Sequence, residues 1–258
     1  MKVVLFCGGL GTRLREYSDT IPKPLVDIGY RPILWYIMKY YAYYGHKEFI
    51  LCLGYKGNMI KDYFLNYKEW DSNDFELSNG GADVRLFNSD IKDWKITFVD
   101  TGLQSNLGQR LIAVRKYIGD DEMFFANYSD GLSDAPLPDC VKLLQEKNAV
   151  ACFLGVKPSQ SFHAAQIDDD GLITKFSHVM YSEYRINGGF FTMRKEIFDY
   201  INNGEELVEE PFQRLITEKK LVSYKYDGFW SAIDTFKDKH KIDEMYARGV
   251  RPWEIWNS

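Results

Sequence analysis

Glycines and a cationic side chain follow directly after the first apolar run of the chain. The run VVLFC (3–7) leads into Gly8, Gly9, Gly11, Thr12 and Arg13. A glycine-rich turn behind a strand presents backbone N–H groups to a phosphate chain, and Arg13 can bind phosphate oxygens through two parallel hydrogen bonds. The spacing matches neither the dinucleotide-binding fingerprint nor the P-loop, so the glycines alone leave a simple hairpin turn as an equal alternative.

A lysine held between two prolines shifts this balance toward an anion site. Pro22 and Pro24 flank Lys23 and stiff proline rings restrict the backbone there, which fixes the direction of the ammonium group. A lysine ammonium acts on phosphate as a point charge. Together with Arg13, Lys23 therefore indicates a site for a strongly anionic ligand.

The pattern of apolar runs predicts the elements that must position these residues. Strands buried on both faces are predicted at 3–7, 49–54, 96–100, 123–130, 149–156, 188–193 and 221–226. Helices are predicted at 31–45, 57–70, 108–118 and 138–148, and a last helix precedes an aromatic tail. Alternating strands and helices predict an α/β fold with a parallel sheet and right-handed crossovers. The polar segment 71–95 is predicted to be an irregular surface excursion.

Bulk properties narrow the class of protein. The 258 residues, 45% of them hydrophobic, suffice for one large domain or a domain with an appended lobe. A net charge of -5 argues against a nucleic-acid binder or a membrane-surface binder. The first apolar run is too short for a signal peptide and no run reaches membrane-spanning length, which predicts a cytoplasmic protein. The four widely spaced cysteines are expected to be reduced and mostly buried.

The opening motif and its continuation resemble a known family signature. The string GGLGTRL…PKPLVDIGYRPILWYIM resembles that of the sugar-nucleotidyltransferase superfamily, and later blocks such as YSDGLSD, INGGFF and GFWSAIDTFKDK resemble the glucose-1-phosphate cytidylyltransferase branch in order. The resemblance runs over essentially the whole chain. It implies a Rossmann-like three-layer α/β fold, with a mostly parallel mixed sheet, helices on both faces and a small additional β region. It also implies one domain, with a nucleotide half near 1–135 and an acceptor half near 136–258.

This resemblance implies an activity and assigns roles to residues. A sugar-1-phosphate oxygen would attack the α-phosphorus of CTP and expel pyrophosphate, with Arg13 and Lys23 as the catalytic cations. The glycine turn would hold the triphosphate, and the stretch 101–111, with Ser105 and Gly108, would face the base or ribose. A Mg²⁺ cofactor would be held by Asp130 and Asp234, for which a turn and a helix cap are the structural alternatives. The neighbouring Asp134 is predicted to be a capping or solvated residue.

The acceptor side departs from the family pattern. His163 stands where a glycine is usual, and Val179 stands near the place of the lysine that pairs with the sugar phosphate in relatives. Arg185 is our candidate for the missing cation, with His178 or Lys175 as substitutes. The expected acceptor-binding residues are His163, Arg185, Asn187, Gly188 and Glu210, with Glu209 beside the last. Two changes on one side of the pocket suggest an acceptor other than plain glucose 1-phosphate.

Three alternatives stay open at this point. The same chemistry could use another nucleoside triphosphate, or a non-glucose or non-sugar phosphate acceptor. A catalytically silent nucleotide-binding regulator belongs to a different class, which the joint presence of Arg13, Lys23, Asp130 and Asp234 disfavours. A homo-oligomer is expected, because relatives assemble and the tail offers Trp253 and Trp256 as anchors; these rings could equally pack on their own chain. The CDP-linked product would serve surface polysaccharide synthesis.

Overall fold

A mixed sheet forms the centre of the computed structural model, which describes residues 1–9, 20–158 and 162–257. The strands of this part of the chain are β1 (Val3–Phe6), β2 (Asp27–Ile28), β3 (Arg31–Pro32), β4 (Glu48–Leu53), β5 (Phe75–Ser78), β6 (Asp83–Leu86), β7 (Lys95–Asp100), β8 (Met123–Asn127), β9 (Gly131–Ser133), β10 (Ala151–Val156), β11 (His163–Ile167), β12 (Ile173–His178), β13 (Ile186–Asn187), β14 (Phe191–Arg194), β15 (Leu221–Tyr226) and β16 (Trp230–Ala232). Its α-helices are α1 (Ile33–Tyr43), α2 (Gly57–Leu65), α3 (Leu107–Ile118), α4 (Leu137–Glu146), α5 (Glu210–Thr217) and α6 (Phe236–Ala247). Within the described residues, none of the helices is long and apolar enough to cross a membrane.

The main sheet is parallel on one side and mixed on the other. Strand β1 lies between β4 and β8 and runs parallel to both, and β7 extends the parallel part beyond β4. Strand β14 runs antiparallel to β8, and β10 runs antiparallel to β14 and β13 but parallel to β15. Since β1 and β8 are parallel, their carboxyl ends meet at one edge of the sheet, which is where ligands bind in open α/β sheets.

Apolar layers cover both faces of this sheet. Val3 and Leu5 of β1 pack into one core with α1 and α4, whereas Val4 and Phe6 pack into a second core with α3 and α5. This alternation explains why β1 is apolar at every position rather than at every second one. The predicted three-layer α/β fold is confirmed.

Most predicted elements are confirmed, and two need correction. The predicted strand 188–193 is a strand only from Phe191, where β14 begins, because Gly188 and Gly189 lie in the turn that separates β14 from β13. The segment 71–95 is not irregular throughout, because β5 and β6 form an antiparallel hairpin within it. Both strands are largely exposed and only four residues long, so their alternation of apolar and polar residues (FELS and DVRL) was too short to stand out in the polar segment.

The aromatic tail packs on its own chain. Trp253 is 1% exposed, and the ring of Trp256 lies 5.9 Å from that of Trp35 and 6.4 Å from that of Tyr36 on α1. Of the two roles that the sequence left open for these tryptophans, the structure therefore shows the intramolecular one. All four cysteines are free and buried, as expected.

Candidate active site

Three charged side chains from distant parts of the sequence meet at the carboxyl edge of the sheet. The ammonium of Lys23 donates hydrogen bonds to Asp130 Oδ2 at 2.7 Å and to Asp234 Oδ1 at 2.6 Å. Lys23 begins a short 3-10 turn immediately after Pro22. The sequence predicted a functional role for each of these three residues, and the fold brings all three to one point.

A small two-stranded sheet places the two aspartates side by side. Strand β9 follows Asp130 and pairs antiparallel with β16, which precedes Asp234, and the backbone N–H of Ile233 donates to the carbonyl of Asp130 at 2.9 Å. Thr235, not Asp234, caps helix α6, because its hydroxyl accepts from the N–H of Asp238. The capping alternative for Asp234 is therefore wrong, and its carboxylate is left to face Lys23.

Burial and charge act against each other at this cluster. Burial raises the pKa of Asp130, Lys23 partly offsets this effect, and the neighbouring Asp234 raises it further. Burial alone would lower the pKa of Lys23, but the two carboxylates outweigh it and hold the pKa above its ordinary value. The lysine is thus a permanent cation, and the two acidic groups are held close together by it.

The backbone directly before Asp130 is strained. Ser129 has φ +66°, in the left-handed region that favours glycine. The side chain of Asn127 stabilises this turn, since its Oδ1 accepts from the N–H of Ser129 at 2.9 Å. Such a turn directs the next residue away from the strand, and so Asp130 points to Lys23 rather than into the sheet.

A cleft of about 350 Å³ opens beside this cluster. It is lined by Phe6, Cys7, Gly8, Gly9, Lys23, Pro24, Ser105, Asn106, Leu107, Arg110, Tyr128, Ser129, Asp130, Glu206 and Asp234. Gly9 is exposed, and a Cβ there would meet no atom of the described residues within 4 Å. Burial raises the pKa of Cys7 to about 12, which keeps this thiol protonated and unsuited to nucleophilic chemistry.

The first glycine of the motif makes room for a buried arginine. A Cβ on Gly8 would lie 2.1 Å from Nη1 of Arg110, and the Gly8 carbonyl accepts from Nη2 of Arg110 at 3.0 Å. Gly8 is therefore required by the guanidinium, whereas Gly9 is exposed on the cleft lining. The other motif residues predicted for this role, Gly11, Thr12 and Arg13, lie outside the described residues.

Arg110 is a cleft residue that sequence reasoning did not assign. It is 4% exposed and donates to the carbonyls of Gly8, Leu53 and Leu103 and to Thr101 Oγ1. Within the described ranges no carboxylate forms an ion pair with it, although the charge of Asp100 acts on it. Burial lowers the pKa of Arg110, but a guanidinium stays protonated at neutral pH. The sequence signal that could have identified Arg110 is the position of an arginine within the apolar stripe of α3.

The opposite wall joins the two halves of the chain. Asn106 Nδ2 donates to the carbonyl of Gly204 at 2.9 Å, and the N–H of Leu107 donates to Glu206 Oε2 at 3.3 Å. A Cβ on Gly108 would lie 2.3 Å from the carbonyl oxygen of Glu205, so only glycine lets this loop approach α3. Of the two residues predicted to face the nucleotide here, Ser105 lines the cleft, whereas Gly108 makes this packing contact with the loop.

The donor set fits a divalent cation of the Mg²⁺ type. Oxygens of Asp130 and Asp234 converge on one point, where the Lys23 ammonium now supplies the positive charge. In the part of the chain that the structure covers, no group of three or more acidic, histidine or cysteine side chains forms a complete metal cage. Mg²⁺ is commonly held by one or two carboxylates together with substrate phosphates, which is what two converging aspartates offer.

The predicted acceptor residues lie apart from the cleft lining. His163 begins the exposed hairpin β11–β12, where its ring stacks on Phe176. Arg185 is bound by its own chain, since it donates to the carbonyls of Gly155 and Tyr226 and pairs with Asp227 at 2.8 Å. The role of each in acceptor binding stays a prediction.

Of the other predicted acceptor residues, Asn187 contacts a residue of the cleft lining, whereas Gly188 and Glu210 are not part of that lining. Asn187 Nδ2 donates to the hydroxyl of Tyr128, a cleft residue, at 2.8 Å. The carbonyl of the adjoining Gly188 accepts from Trp230 Nε1 at 2.9 Å. Glu210 is the exposed first residue of α5, while Glu206 lines the cleft a few residues earlier. An acidic side chain does face the cleft from this segment, but it is not the predicted one.

Comparisons of sequence place the chain among known proteins. The family model described as "Nucleotidyl transferase" matches residues 2–248. The chain is 41% identical to "Probable glucose-1-phosphate cytidylyltransferase" of Bacillus subtilis (strain 168), over 99% of this chain and 100% of that protein. It is 37% identical to "Glucose-1-phosphate cytidylyltransferase" of Salmonella typhi, again over 99% of this chain and 100% of that protein.

Solved structures share the same architecture. A UDP-glucose pyrophosphorylase complexed with UDP-glucose superposes with a TM-score of 0.68 at 16% identity, covering 96% of this chain and 98% of that one. HddC from Yersinia pseudotuberculosis superposes with a TM-score of 0.63 at 22% identity, covering 95% and 99%. At these identities the likeness concerns the fold.

Proposed function

The chain belongs to the nucleotidyl transferase family, and on that premise we propose that it transfers a cytidylyl group from CTP to a sugar 1-phosphate. The products are a CDP-sugar and pyrophosphate. The observation that carries this proposal is the convergence of Lys23, Asp130 and Asp234 beside a cleft with exposed glycine backbone. Full-length relatives named as cytidylyltransferases support CTP as the donor.

The residues of the cleft suit in-line attack on an α-phosphate. Two anions must be brought together, so the protein has to orient them and neutralise their charge. Lys23 supplies a fixed positive charge, and the guanidinium of Arg110 adds a second at the wall beside Gly8. The exposed backbone at Gly9, together with the predicted contribution of Gly11, Thr12 and Arg13, holds the triphosphate.

Enzymes of this family use a divalent metal, and we propose Mg²⁺ held by Asp130 and Asp234. When bound, the ion neutralises phosphate charge and polarises the phosphoryl group. The acidic pair itself creates the negative potential that retains a cation, because Asp130 is largely buried and its nearest acidic neighbour is Asp234.

One observation favours a second candidate for the acceptor. Arg185, the proposed substitute for the phosphate-binding lysine, is already paired with Asp227, and Val179 carries no charge. An acceptor other than glucose 1-phosphate, such as a modified sugar 1-phosphate, fits that side of the molecule. Roles for His163 and Glu210 there belong to the same proposal.

A substrate panel tests the donor and acceptor together. We expect pyrophosphate release with CTP to exceed that with UTP, GTP, ATP or dTTP by at least about 100-fold in kcat/KM. Acceptors are compared at saturating CTP and Mg²⁺, with products identified by mass spectrometry. Efficient turnover of glucose 1-phosphate would contradict the modified-acceptor candidate. Nucleotide binding without pyrophosphate release from any pair would favour a silent regulator.

We also propose a homo-oligomer in the cytoplasm, built on the hairpin β11–β12 rather than on the tail. Large apolar side chains are more than 40% exposed on and beside this hairpin, namely Phe162, Ile167, Leu172, Ile173, Phe176, Met180, Tyr181 and Tyr184. The hairpin forms its own two-stranded sheet within the described residues, so these side chains lack a covering layer. Contiguous apolar patches of this kind mark interaction sites.

If the hairpin forms the interface, mutations in it should lower the molar mass of the assembly in solution. Ile167 and Ile173 are cross-strand partners, 64% and 61% exposed, and replacing both by serine removes the centre of the patch. We expect light scattering after size exclusion to give an oligomer for the native protein and a monomer for the double variant. Leu65→Ser, an isolated residue 79% exposed at the end of α2, is the control. A native monomer, or a double variant of unchanged mass, contradicts the proposal.

A further inference from the structure

We propose that Glu206 reads the exocyclic amine of the cytosine ring and thereby selects CTP over UTP, an inference that rests on the proposed function. Among the described residues that line the cleft, the carboxylates are Asp130, Glu206 and Asp234. Two of them pair with Lys23. Glu206 is the carboxylate left for a different task.

The fold holds Glu206 in a defined place on the cleft wall. Its Oε2 accepts from the N–H of Leu107 at 3.3 Å, and its Oε1 accepts from the N–H of Leu207 at 2.9 Å. The loop that carries it is fixed to the start of α3 by Asn106 and to α5 by an ion pair between Glu205 and Arg214. Each carboxylate oxygen of Glu206 still has a lone pair that can accept a further hydrogen bond.

Charge decides which part of a nucleotide can face this residue. Across the described ranges, no lysine or arginine forms an ion pair with Glu206, and its carboxylate accepts only from the backbone N–H groups of Leu107 and Leu207. A triphosphate would be repelled by it and is instead attracted toward the ammonium of Lys23. Tyr128 also lines the cleft, where the charges of Asp130 and Glu206 add to the larger effect of burial in raising its pKa. The group opposite Glu206 must therefore be a neutral hydrogen-bond donor.

The cytosine amine is the donor that distinguishes CTP from UTP. A carboxylate accepts a hydrogen bond from the N4 amine of cytosine, whereas uracil presents a carbonyl oxygen at the same position. Two acceptors would then face each other in a desolvated cleft, which is unfavourable. Ribose hydroxyls are also neutral donors, but they are common to CTP and UTP and could not give base selection.

Removing the amine and the carboxylate separately tests the contact. The first measurement compares CTP with pyrimidin-2-one ribonucleoside triphosphate, which is CTP without its amine, on the native protein and on Glu206→Ala. We expect kcat/KM of the native protein to fall about 10- to 100-fold when the amine is removed. Glu206→Ala should show a similar loss with CTP and little further loss with the analogue.

Two further comparisons complete the test. Glu206→Gln keeps an acceptor for the Leu107 amide and can donate to the uracil carbonyl, so its preference for CTP over UTP should fall about 10-fold or more. The matched control is Glu146→Gln at the exposed end of α4, which should leave both ratios unchanged. Circular dichroism checks that each variant is folded.

The outcomes separate this inference from the proposed function. If the native protein releases no pyrophosphate from CTP with any acceptor, the proposed function fails. If it uses CTP but Glu206→Ala still loses as much as the native protein on amine removal, the inference alone fails. A variant that instead becomes insensitive to 2′-deoxy-CTP would assign Glu206 to the ribose and would also overturn it.

Discussion

Asp130→Asn is expected to lower kcat by at least about 1,000-fold while leaving the protein folded. The asparagine has the same shape, but it removes one of the two charges that converge on Lys23 and that are proposed to hold the metal. Burial raises the pKa of Asp130, so the free protein pays a desolvation cost to keep this carboxylate ionised. Its replacement by a neutral amide should leave Tm unchanged or slightly higher. Pyrophosphate release and a thermal melt measure the two effects.

The same substitution at Asp134 is the matched control. The Asp134 carboxylate accepts hydrogen bonds from the Tyr226 hydroxyl at 2.5 Å and from the N–H of Phe229 at 2.9 Å, and it does not line the cleft. Asp134→Asn should therefore lower Tm and leave kcat close to the native value. If Asp130→Asn retained more than a tenth of native activity, or if both variants lost Tm equally, Asp130 would be a structural residue.

Short-range patterns were sufficient for the framework of the fold. Strand β1 is apolar at every position because both of its faces are covered, and that is visible in the run VVLFC. Helix α1 is also visible in the sequence, because Pro32 directly precedes its first residue and Gly45 follows shortly after its last, the usual positions of proline and glycine at helix ends. The hairpin of β5 and β6 carries only a weak signal, since its alternating runs FELS and DVRL are four residues each within a polar segment.

The candidate site could be predicted only where the residue type and its immediate neighbours in the sequence indicate a chemical role. A lysine between prolines and two aspartates at strand ends are local features, and the family resemblance joined them. The roles of Arg110 and Glu206 depend on contacts between residues far apart in the sequence, such as Arg110 with Gly8 and Glu206 with Leu107, which are 102 and 99 positions apart. Those contacts arise from the packing of α3 against the sheet and the acceptor half, which no local pattern encodes. Likewise, the requirement for glycine at position 8 becomes clear only from the structure, because a side chain there would collide with Arg110.

Lys23→Met is expected to lower kcat/KM about 100- to 1,000-fold and, in addition, to make stability depend on divalent cations. The ammonium pairs with both Asp130 and Asp234 and offsets one of their two negative charges, and its loss leaves two neighbouring carboxylates without a counter-charge. In EDTA, Tm should fall by about 3–6 °C relative to the native protein. Millimolar Mg²⁺ should restore more of Tm in the variant than it adds to the native protein, because a cation then binds a more negative pair.

Lys47→Met separates this effect from the loss of an ordinary ion pair. Lys47 pairs with Asp93 at the surface, where both side chains are well exposed and an ion pair contributes little to stability. Its variant should keep native activity and show no Mg²⁺-dependent change in Tm. Equal Tm for Lys23→Met and the native protein in EDTA would contradict the idea that Lys23 is the counter-charge of the acidic pair. Activity within about threefold of native would contradict its catalytic role, because a cation that neutralises phosphate charge in the transition state cannot be replaced by an apolar side chain at so small a cost.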